Sequence, residues 1–520
     1  VDIDFHYYAT YKAARLANFS KEESQKIAYA AQFVDEFDYM CGYGGNPWIF
    51  RHNDNLPEPK VGSLRFESQT AGTFSKIGSS GDRRIIPRKT VQNTIADFSL
   101  TTHCRKDIWI PYHFLPGNFK LTGVKNHSKF IERKGAPQIL CRPFSATAIA
   151  MINEMREAWH GPWVADADYR LHLLGLRMHV FVDTWAHQDF AGVNESNINN
   201  CEGYYNFVLH PEGHLEQVNW SILSKSFEYA PTSQNLGHGR LGHFPDYGFA
   251  TYYYTPAWLS KSPTGNNSNL LMLARNNPKE FETAFFEMVR ALHAIKINRP
   301  YGDGTPQLDS LAPINEAVLR KEFEKTILIN KDRETGEDKG VMAMLKEYGS
   351  SDVFALSISS WKRFGKDIDG FRLDEPKDFD IMDWKGAARN KQPKKENTLP
   401  GSDLYNFNLA SEHHWFWARS FLNDNNIVEI RPWDAQSKPR LKKNVAWIPD
   451  AARSKCVAQT CGVQFGFRTR KHHCRGCGDI FCDKCAPVHP EVEERLCRNC
   501  LENNQAVIKW VNDTRAYLSR

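Results

Sequence analysis

Eight of the chain's twelve cysteines lie between Cys456 and Cys500, as the pairs Cys456/Cys461, Cys474/Cys477, Cys482/Cys485 and Cys497/Cys500. Two thiolates a short gap apart can face one ion, and zinc takes four such ligands in a tetrahedron. Four ordered pairs imply two structural zinc ions, and a segment this short needs them in order to fold. The spacing is that of metal ligands and not of a disulfide framework, which fits a reducing cytosol. Cys41, Cys104, Cys141 and Cys201 are scattered. Against the second pair lies "RTRKHHCRGCG", residues 468–478. Converging cations of this density suit phosphate, which Arg meets in bidentate fashion. Arg470, Lys471, Arg475 and Arg495 supply permanent charge. His472 and His473 bond phosphate best when protonated, so binding is expected to strengthen as pH falls.

A second constellation sits in "LHLLGLRMHVFVDTWAHQDF", residues 171–190. His179, Asp183 and His187 recur at every fourth residue and fan over roughly 80° of one helix face. His172, seven residues ahead of His179, falls on the same side. Two imidazoles and a carboxylate on one stripe make half of a metal site. The plainer reading is a core helix with hydrogen-bonded polar residues, but several ionisable groups on one stripe are costly to bury without a partner or an ion. Candidates to complete the site are Asp4 and His6, with Asp2, in "DIDFH". Asp35 in "AAQFVDEF" joins them, with Glu36 and Asp38 nearby. His238, with His243 and Asp246, lies in the Gly-rich "NLGHGRLGHFPDYGF". His413 and His414 are weaker candidates on an aromatic helix. Zinc is the favoured ion for one or more catalytic metals here.

The elements that must carry these residues are mostly helical. Ser20 as N-cap with Glu23 three residues on predicts a capping box and a helix over "SKEESQKIAYAAQFVDEF". Helices are also expected over 144–190, 277–297, 312–328 and 404–423. Residues 42–140 and 191–270 read as long loops with short elements, and 364–402 as an exposed excursion dense in charge, Pro and Gly. The expected architecture is mainly α: a large helical N-terminal domain with long loops over 1–430 and a small two-zinc finger at the C-terminus. Between them lies a linker over 431–446 with the boundary near 440. The finger spans 447–502 and a C-terminal helix 503–520.

At 520 residues, with 41% hydrophobic and 12% aromatic residues, the chain can fill real cores, and its net charge of +5 excludes a bulk polycation. Near-neutral charge over 1–430 argues against strong nucleic-acid binding. No apolar run reaches membrane-spanning length. The opening does not read as a signal peptide, and the start at Val1 leaves room for a short segment removed ahead of it.

"WIPD", "RKHHCRGCG" and "RLC" resemble the three signature stretches of the FYVE zinc finger, a reader of phosphatidylinositol 3-phosphate on endosomal membranes. The resemblance implies a cross-brace, with Cys456, Cys461, Cys482 and Cys485 on one zinc and Cys474, Cys477, Cys497 and Cys500 on the other. It further implies that Trp447 and Asp450 shape the headgroup pocket, Asp450 by contacting sugar hydroxyls. The loop "VQFGF" would then dip into the bilayer with Phe467 at its tip and Arg468 beside it. The first pair departs from the family, since Cys456 and Cys461 are four residues apart where two is usual. A longer knuckle is expected, not a lost site.

The opening, "LHLLGLRMHVFVDTWAHQDFAG" and "GHGRLGHFPD" are similar to an uncharacterised, mainly bacterial family, in pieces over 1 to about 430. More distantly, His179 and Asp183 on a helix with further His resemble the all-helical zinc phospholipase C and single-strand nuclease superfamily, although this chain has no Trp at its start whose amine would be a ligand. These resemblances imply a metal-dependent hydrolase of a phosphoester such as a phospholipid or phosphoinositide, held peripherally on endosomal or vacuolar membranes from the cytosol. The catalytic set would be Asp4, His6, Asp35, His179, Asp183, His187 and His238. The alternatives are a non-enzymatic adaptor, a nuclease, or an effector of an intracellular bacterium. A homodimer through residues 501–520 would add avidity.

Overall fold

The computed structural model describes residues 1–37, 108–121, 125–161, 167–201, 236–260, 273–305, 315–327, 355–366, 370–385, 401–428, 453–458, 461–467, 469–474, 479–489 and 494–498. Short pieces lie between them at 50–51, 65–67, 84–85, 123, 207–209, 215–217, 368, 440–442, 450 and 501. Helices dominate, as the composition and periodicity lead one to expect.

A single turn of π-helix, Asp4–Ala9, runs into α1 (Thr10–Leu16). Then α2 (Lys21–Glu36) starts at the expected capping box: Ser20 accepts from the Glu23 amide at 3.1 Å, and the Glu23 carboxylate takes the Ser20 amide at 2.7 Å. Ser145 caps α3 (Ala146–His160) by accepting from Ala148. α4 (Ala167–Ala186) carries the His–Asp stripe. Asn276 caps α5 (Asn277–Lys296), with proline in its first turn. α6 (Glu316–Ile327) and α7 (Asp403–Asp424) complete the long helices.

Residues Leu171 to Val193 are buried almost without a break, so α4 is the central helix of its unit, apolar on most sides and covered on most sides. It packs on α2, α3 and α5. Its closest approach is to α2, at Gly175. A Cβ there would stand 2.2 Å from the Ile27 carbonyl oxygen and 2.7 Å from Ala30 Cβ. Only glycine lets the two helices lie this close, and the approach brings the end of α2 against the polar stripe of α4.

Among the described residues, the loop-rich region between 191 and 270 contributes three short strands, and a fourth follows it. β1 (Phe207–Leu209), β2 (Leu215–Gln217), β3 (Thr251–Tyr254) and β4 (Leu273–Asn276) form an antiparallel sheet in the order β2-β1-β3-β4. The register pairs Phe207 with Gln217 and with Tyr253, and Thr251 with Asn276. Tyr252 and Tyr254 of β3 join Phe114, Phe190, Phe244, Tyr247 and Phe249 in an aromatic cluster that supports the 236–250 loop. The expected exposed excursion also differs in part: Leu373 and Trp384 are buried, and Phe379 packs on Tyr7 and Tyr29. Its apolar residues, spaced among charges, give it a covered side.

The chain divides into two compact units. One holds residues 1–38, 90–386 and 406–430; the other holds 39–89, 387–405 and 431–520. Two segments read as N-terminal therefore group with the C-terminal region, where Arg65–Glu67 pairs with Arg440–Lys442. In the finger, β5 (His472–His473) pairs with β6 (Ile480–Phe481), and β7 (Val488–His489) with β8 (Glu494–Arg495).

Candidate metal centre and lipid-binding finger

α4 presents His179 and Asp183 one turn apart, with His179 Nε2 3.1 Å from Asp183 Oδ2. The π-turn places His6 over them: its Nε2 is 3.2 Å from Asp183 Oδ1, and its ring stacks on His179 with centroids 3.7 Å apart. α2 brings Asp35, whose Oδ1 is 3.7 Å from His179 Nε2 and 3.8 Å from His113 Nδ1. His113 Nδ1 also lies 3.3 Å from His179 Nε2 and 3.5 Å from Asp183 Oδ2. A third set comes from the loop and the residue just past α4. Asp246 Oδ1 is 3.1 Å from His187 Nε2, and its Oδ2 is 3.3 Å from His238 Nε2. Three groups of donors result, His6/His179/Asp183, Asp35/His113/His179 and His187/His238/Asp246, each with its ligand atoms within 4.8 Å of one another. The backbone nitrogen of Val1 joins them, 2.8 Å from Asp183 Oδ1 and 3.1 Å from Asp246 Oδ1.

The far nitrogens of these rings are spoken for. His179 Nδ1 is 2.8 Å from the Ala31 carbonyl, His187 Nδ1 2.6 Å from the His113 carbonyl and His238 Nδ1 2.8 Å from the Gly242 carbonyl. A carbonyl only accepts, so each Nδ1 carries a proton and each Nε2 is left facing a carboxylate. Burial, only partly offset by the attraction of Asp183 for one and Asp246 for the other, holds His179 and His238 down to about 4. Burial and the neighbouring His179 hold His6 well below the ordinary imidazole range. His179 and His238 thus turn an unprotonated Nε2 toward carboxylate oxygen at 3.1 and 3.3 Å, a contact that a cation between the two would make favourable.

The acids carry the same message. Burial pushes Asp183 up, but the neighbouring His187, the Val1 nitrogen and His179 hold it well below the usual range. Asp246 is likewise held down against burial, chiefly by His238. Asp35 is raised by burial and then by Asp183, and Asp2 by burial and then by Asp246. Four carboxylates in one buried space cannot all ionise without positive charge. The donor set, imidazole nitrogen with carboxylate oxygen, suits zinc.

Positioning is strict. The His113 segment is held by α7, where Tyr112 donates to the Ser411 carbonyl at 2.8 Å and His414 Nε2 meets the Pro111 carbonyl at 2.7 Å. Gly237, at φ +54°, lies against Phe114 where a Cβ would stand 2.2 Å from the ring, and so aims His238. Past α4, Asp189 turns the chain at φ +76°. Its buried carboxylate accepts from Arg133 at 2.8 and 3.1 Å, Arg142 at 2.7 Å and Tyr254 at 3.1 Å. Arg275 Nη2 donates to the last carbonyls of α4, Trp185 at 2.9 Å and Ala186 at 3.2 Å. His187 is therefore clamped on both sides.

Of the expected residues, His6, Asp35, His179, Asp183, His187 and His238 converge. Asp4 does not: its carboxylate bonds Ser357, outside the three groups. His172 packs on Trp384, and His413 bonds Tyr169 and Glu154. His113 was missed, being a lone His in "IPYHFLPGN" with no spacing to mark it. His243 lies near Asp246 and Asp2, at 3.6 and 3.9 Å.

In the finger, Cys456, Cys461, Cys482 and Cys485 have sulfurs within 4.8 Å of one another. The longer knuckle closes through the Cys461 amide on the Ala458 carbonyl at 3.0 Å. The Cys482 amide donates to Cys456 Sγ at 3.3 Å, and the Cys497 amide to Cys474 Sγ at 3.1 Å. Trp447, Arg468, Arg475, Cys477 and Cys500 lie outside the described residues. His473 Nε2 stands 3.7 Å from Asp450 Oδ1, and Lys471 bonds the Asp450 carbonyl. Phe467 is fully exposed at its loop tip. Among the described residues no helix is long and apolar enough to cross a membrane.

A FYVE zinc finger matches residues 446–506. The chain is 51% identical across 78 residues to protein FREE1 of Arabidopsis thaliana, 13% of this chain and 12% of that protein. It is 39% identical across 66 residues to zinc finger FYVE domain-containing protein 16 of Mus musculus, 12% of this chain and 4% of that protein. It is also 39% identical across 72 residues to glutamine sensor pib2 of Schizosaccharomyces pombe, 12% of this chain and 25% of that protein. The chain thus spans at most a quarter of these relatives. No solved structure matches it. The module is a FYVE finger with structural zinc. Across residues 1–421, the chain belongs to the family of unknown function DUF6765.

Proposed function

We propose that the finger sets this chain on phosphatidylinositol 3-phosphate membranes, where the N-terminal region acts as a metal-dependent phosphoester hydrolase. The observation that supports it is the set of buried imidazole Nε2 atoms that face carboxylate oxygens at 3.1–3.3 Å. His6, Asp35, His113, His179 and Asp183 would hold ions on one side of the centre, and His187, His238 and Asp246 on the other. Zinc bound there supplies an acidified water and a clamp on phosphoryl oxygen. The chain's own residues then orient the ester and move protons. Asp35, Asp2 and His243, each with about 30% of its side chain open to solvent, line the accessible side. The leaving-group proton falls to Asp2 or His243. Phospholipid and phosphoinositide esters fit best, because the finger delivers the chain to a surface made of them.

The comparisons favour a second reading, a non-enzymatic adaptor. All three relatives align over only 12–13% of this chain, and one is a glutamine sensor by name. Metal decides between the two. Elemental analysis of the purified full chain is expected to show zinc, manganese or iron beyond the two zinc ions of the finger, lost in His179→Ala and Asp183→Ala. Phosphoester hydrolysis on phosphatidylinositol 3-phosphate vesicles should disappear with it. Metal confined to the finger in a folded chain, even after supplementation, would leave the adaptor.

A further inference from the structure

Between the zinc ligands Cys482 and Cys485 stands Asp483, an acid within a basic module. Its side chain is 73% exposed, yet it is engaged. Arg495 Nη1 donates to Asp483 Oδ1 at 2.6 Å and to the Ala486 carbonyl at 2.9 Å. His472 Nε2 lies 3.9 Å from the same carboxylate oxygen. Arg495 comes from β8 and His472 from β5, so Asp483 stands where two strands converge their cations. Both cations belong to the set that the family resemblance gives to the headgroup. A carboxylate offers Arg the same paired acceptor oxygens that a phosphate offers.

We propose that Asp483 is an internal competitor for the phosphoinositide: it holds Arg495 in the lipid-free finger and must give it up when phosphate binds. It thereby sets the affinity of the chain for the membrane. The inference rests on the assignment of Arg495 to the headgroup. The exchange is feasible because the pair is open to water, where such contacts are weak. A phosphate monoester carries nearly two charges against the carboxylate's one. After exchange the carboxylate cannot move far, since Cys482 just before it and Cys485 two residues on are zinc ligands. It remains near the bound phosphate as a like charge, which lowers affinity by roughly three- to tenfold through a partly screened medium. Anchoring on the zinc knuckle is what makes this a competitor and not a mobile surface acid.

The test uses the full chain and vesicles of phosphatidylcholine with phosphatidylinositol 3-phosphate, beside vesicles carrying phosphatidylinositol. The variants are D483N, R495Q and the double variant, with zinc content measured for each. D483N keeps an oxygen for Arg495 and removes only the charge. Phosphatidylinositol 3-phosphate binding is expected to tighten about three- to tenfold in D483N and to weaken in R495Q. The gain should vanish in the double variant, where the competitor has nothing left to hold. D483A repeats the measurement should D483N lose zinc. Unchanged or weaker binding in a zinc-replete D483N would show that Asp483 positions Arg495, which overturns the proposal. So would an equal rise on phosphatidylinositol vesicles, which marks bulk charge. If R495Q binds as the wild type does, the headgroup assignment itself fails, and that result is separable from the others.

Discussion

Gly175→Ala should destabilise the protein and loosen the proposed metal centre, although helix propensity alone predicts the opposite. Alanine in a helix interior is favoured over glycine by about 1 kcal/mol. Here the added methyl would stand 2.2 Å from the Ile27 carbonyl oxygen and 2.7 Å from Ala30 Cβ. Carbon and carbonyl oxygen need about 3.3 Å, so α2 must retreat by about 1 Å. One of the colliding atoms is backbone and the other is the first carbon of a side chain, so no rotamer change relieves the clash. Overpacking of this kind costs about 1–3 kcal/mol, which offsets or exceeds the propensity gain. The displacement matters more than the sum. α2 carries Asp35 and the Ala31 carbonyl that fixes His179 at 2.8 Å. A shift of about 1 Å takes that contact out of hydrogen-bonding range, freeing the ring to change tautomer. The assay pairs urea unfolding with a chelator-competition titration of bound metal. Reduced stability and at least tenfold weaker metal retention are expected. A G175A variant that is more stable than wild type and holds metal equally well would refute the account of how α2 and α4 build the site.

Asp189→Asn leaves Arg133 and Arg142 without their shared buried carboxylate and should cost about 3–5 kcal/mol in urea unfolding; a loss under 1 kcal/mol would mean that the clamp is slack. Phe467→Ser should weaken vesicle binding by about ten- to a hundredfold, the worth of one buried aromatic ring, while binding of a soluble inositol 1,3-bisphosphate headgroup stays unchanged; equal loss in both would place Phe467 in the pocket, not the bilayer. Folded His179 and His238 refuse protons until about pH 4, whereas unfolded imidazoles accept them near 6.5. The metal-free N-terminal unit should therefore lose stability as pH falls from about 6.5 to about 4, with no loss between 7 and 8; hydrogen exchange across that range checks it, and flat protection would argue that the rings are already charged.

What could be read in the chain was whatever is fixed by short spacing. The cysteine pairs and the Ser20–Glu23 box are local, and so is the four-residue rhythm of His179, Asp183 and His187. The same rhythm misplaced His172. It shares the stripe, but seven residues of rise put it about 10.5 Å along the helix, where it meets Trp384. Asp4 and His6 looked alike as neighbours of the start, yet the π-turn sends one to Ser357 and the other to Asp183. No composition rule reports that choice, because one residue added per turn changes which side faces inward. His113 was silent because its partners lie 66 and 74 residues away. The sheet was silent too, its strands being three or four residues long, too short to show alternation.

The buried polar cluster itself bears on whether the N-terminal unit is catalytic. A scaffold for protein partners gains nothing from placing ionisable groups in its interior, where each ion costs several kcal/mol unless paired. Structural pairs elsewhere in the same unit show how this chain satisfies such groups when stability is the purpose. Asp189 has two guanidiniums and a phenol, and Glu287 has Lys129, Arg290 and Tyr301. Each acid there meets donors. At the centre, the Val1 nitrogen donates to Asp183, but the other neighbours of the acids are imidazoles: His179, His187 and His238 spend their Nδ1 protons on backbone carbonyls and turn Nε2 toward Asp183 and Asp246. Such an arrangement is unfavourable in the bare protein and becomes favourable on binding a divalent cation. On the proposed reading an ion would return the stability withheld from the empty fold, and metal content of the full chain decides it.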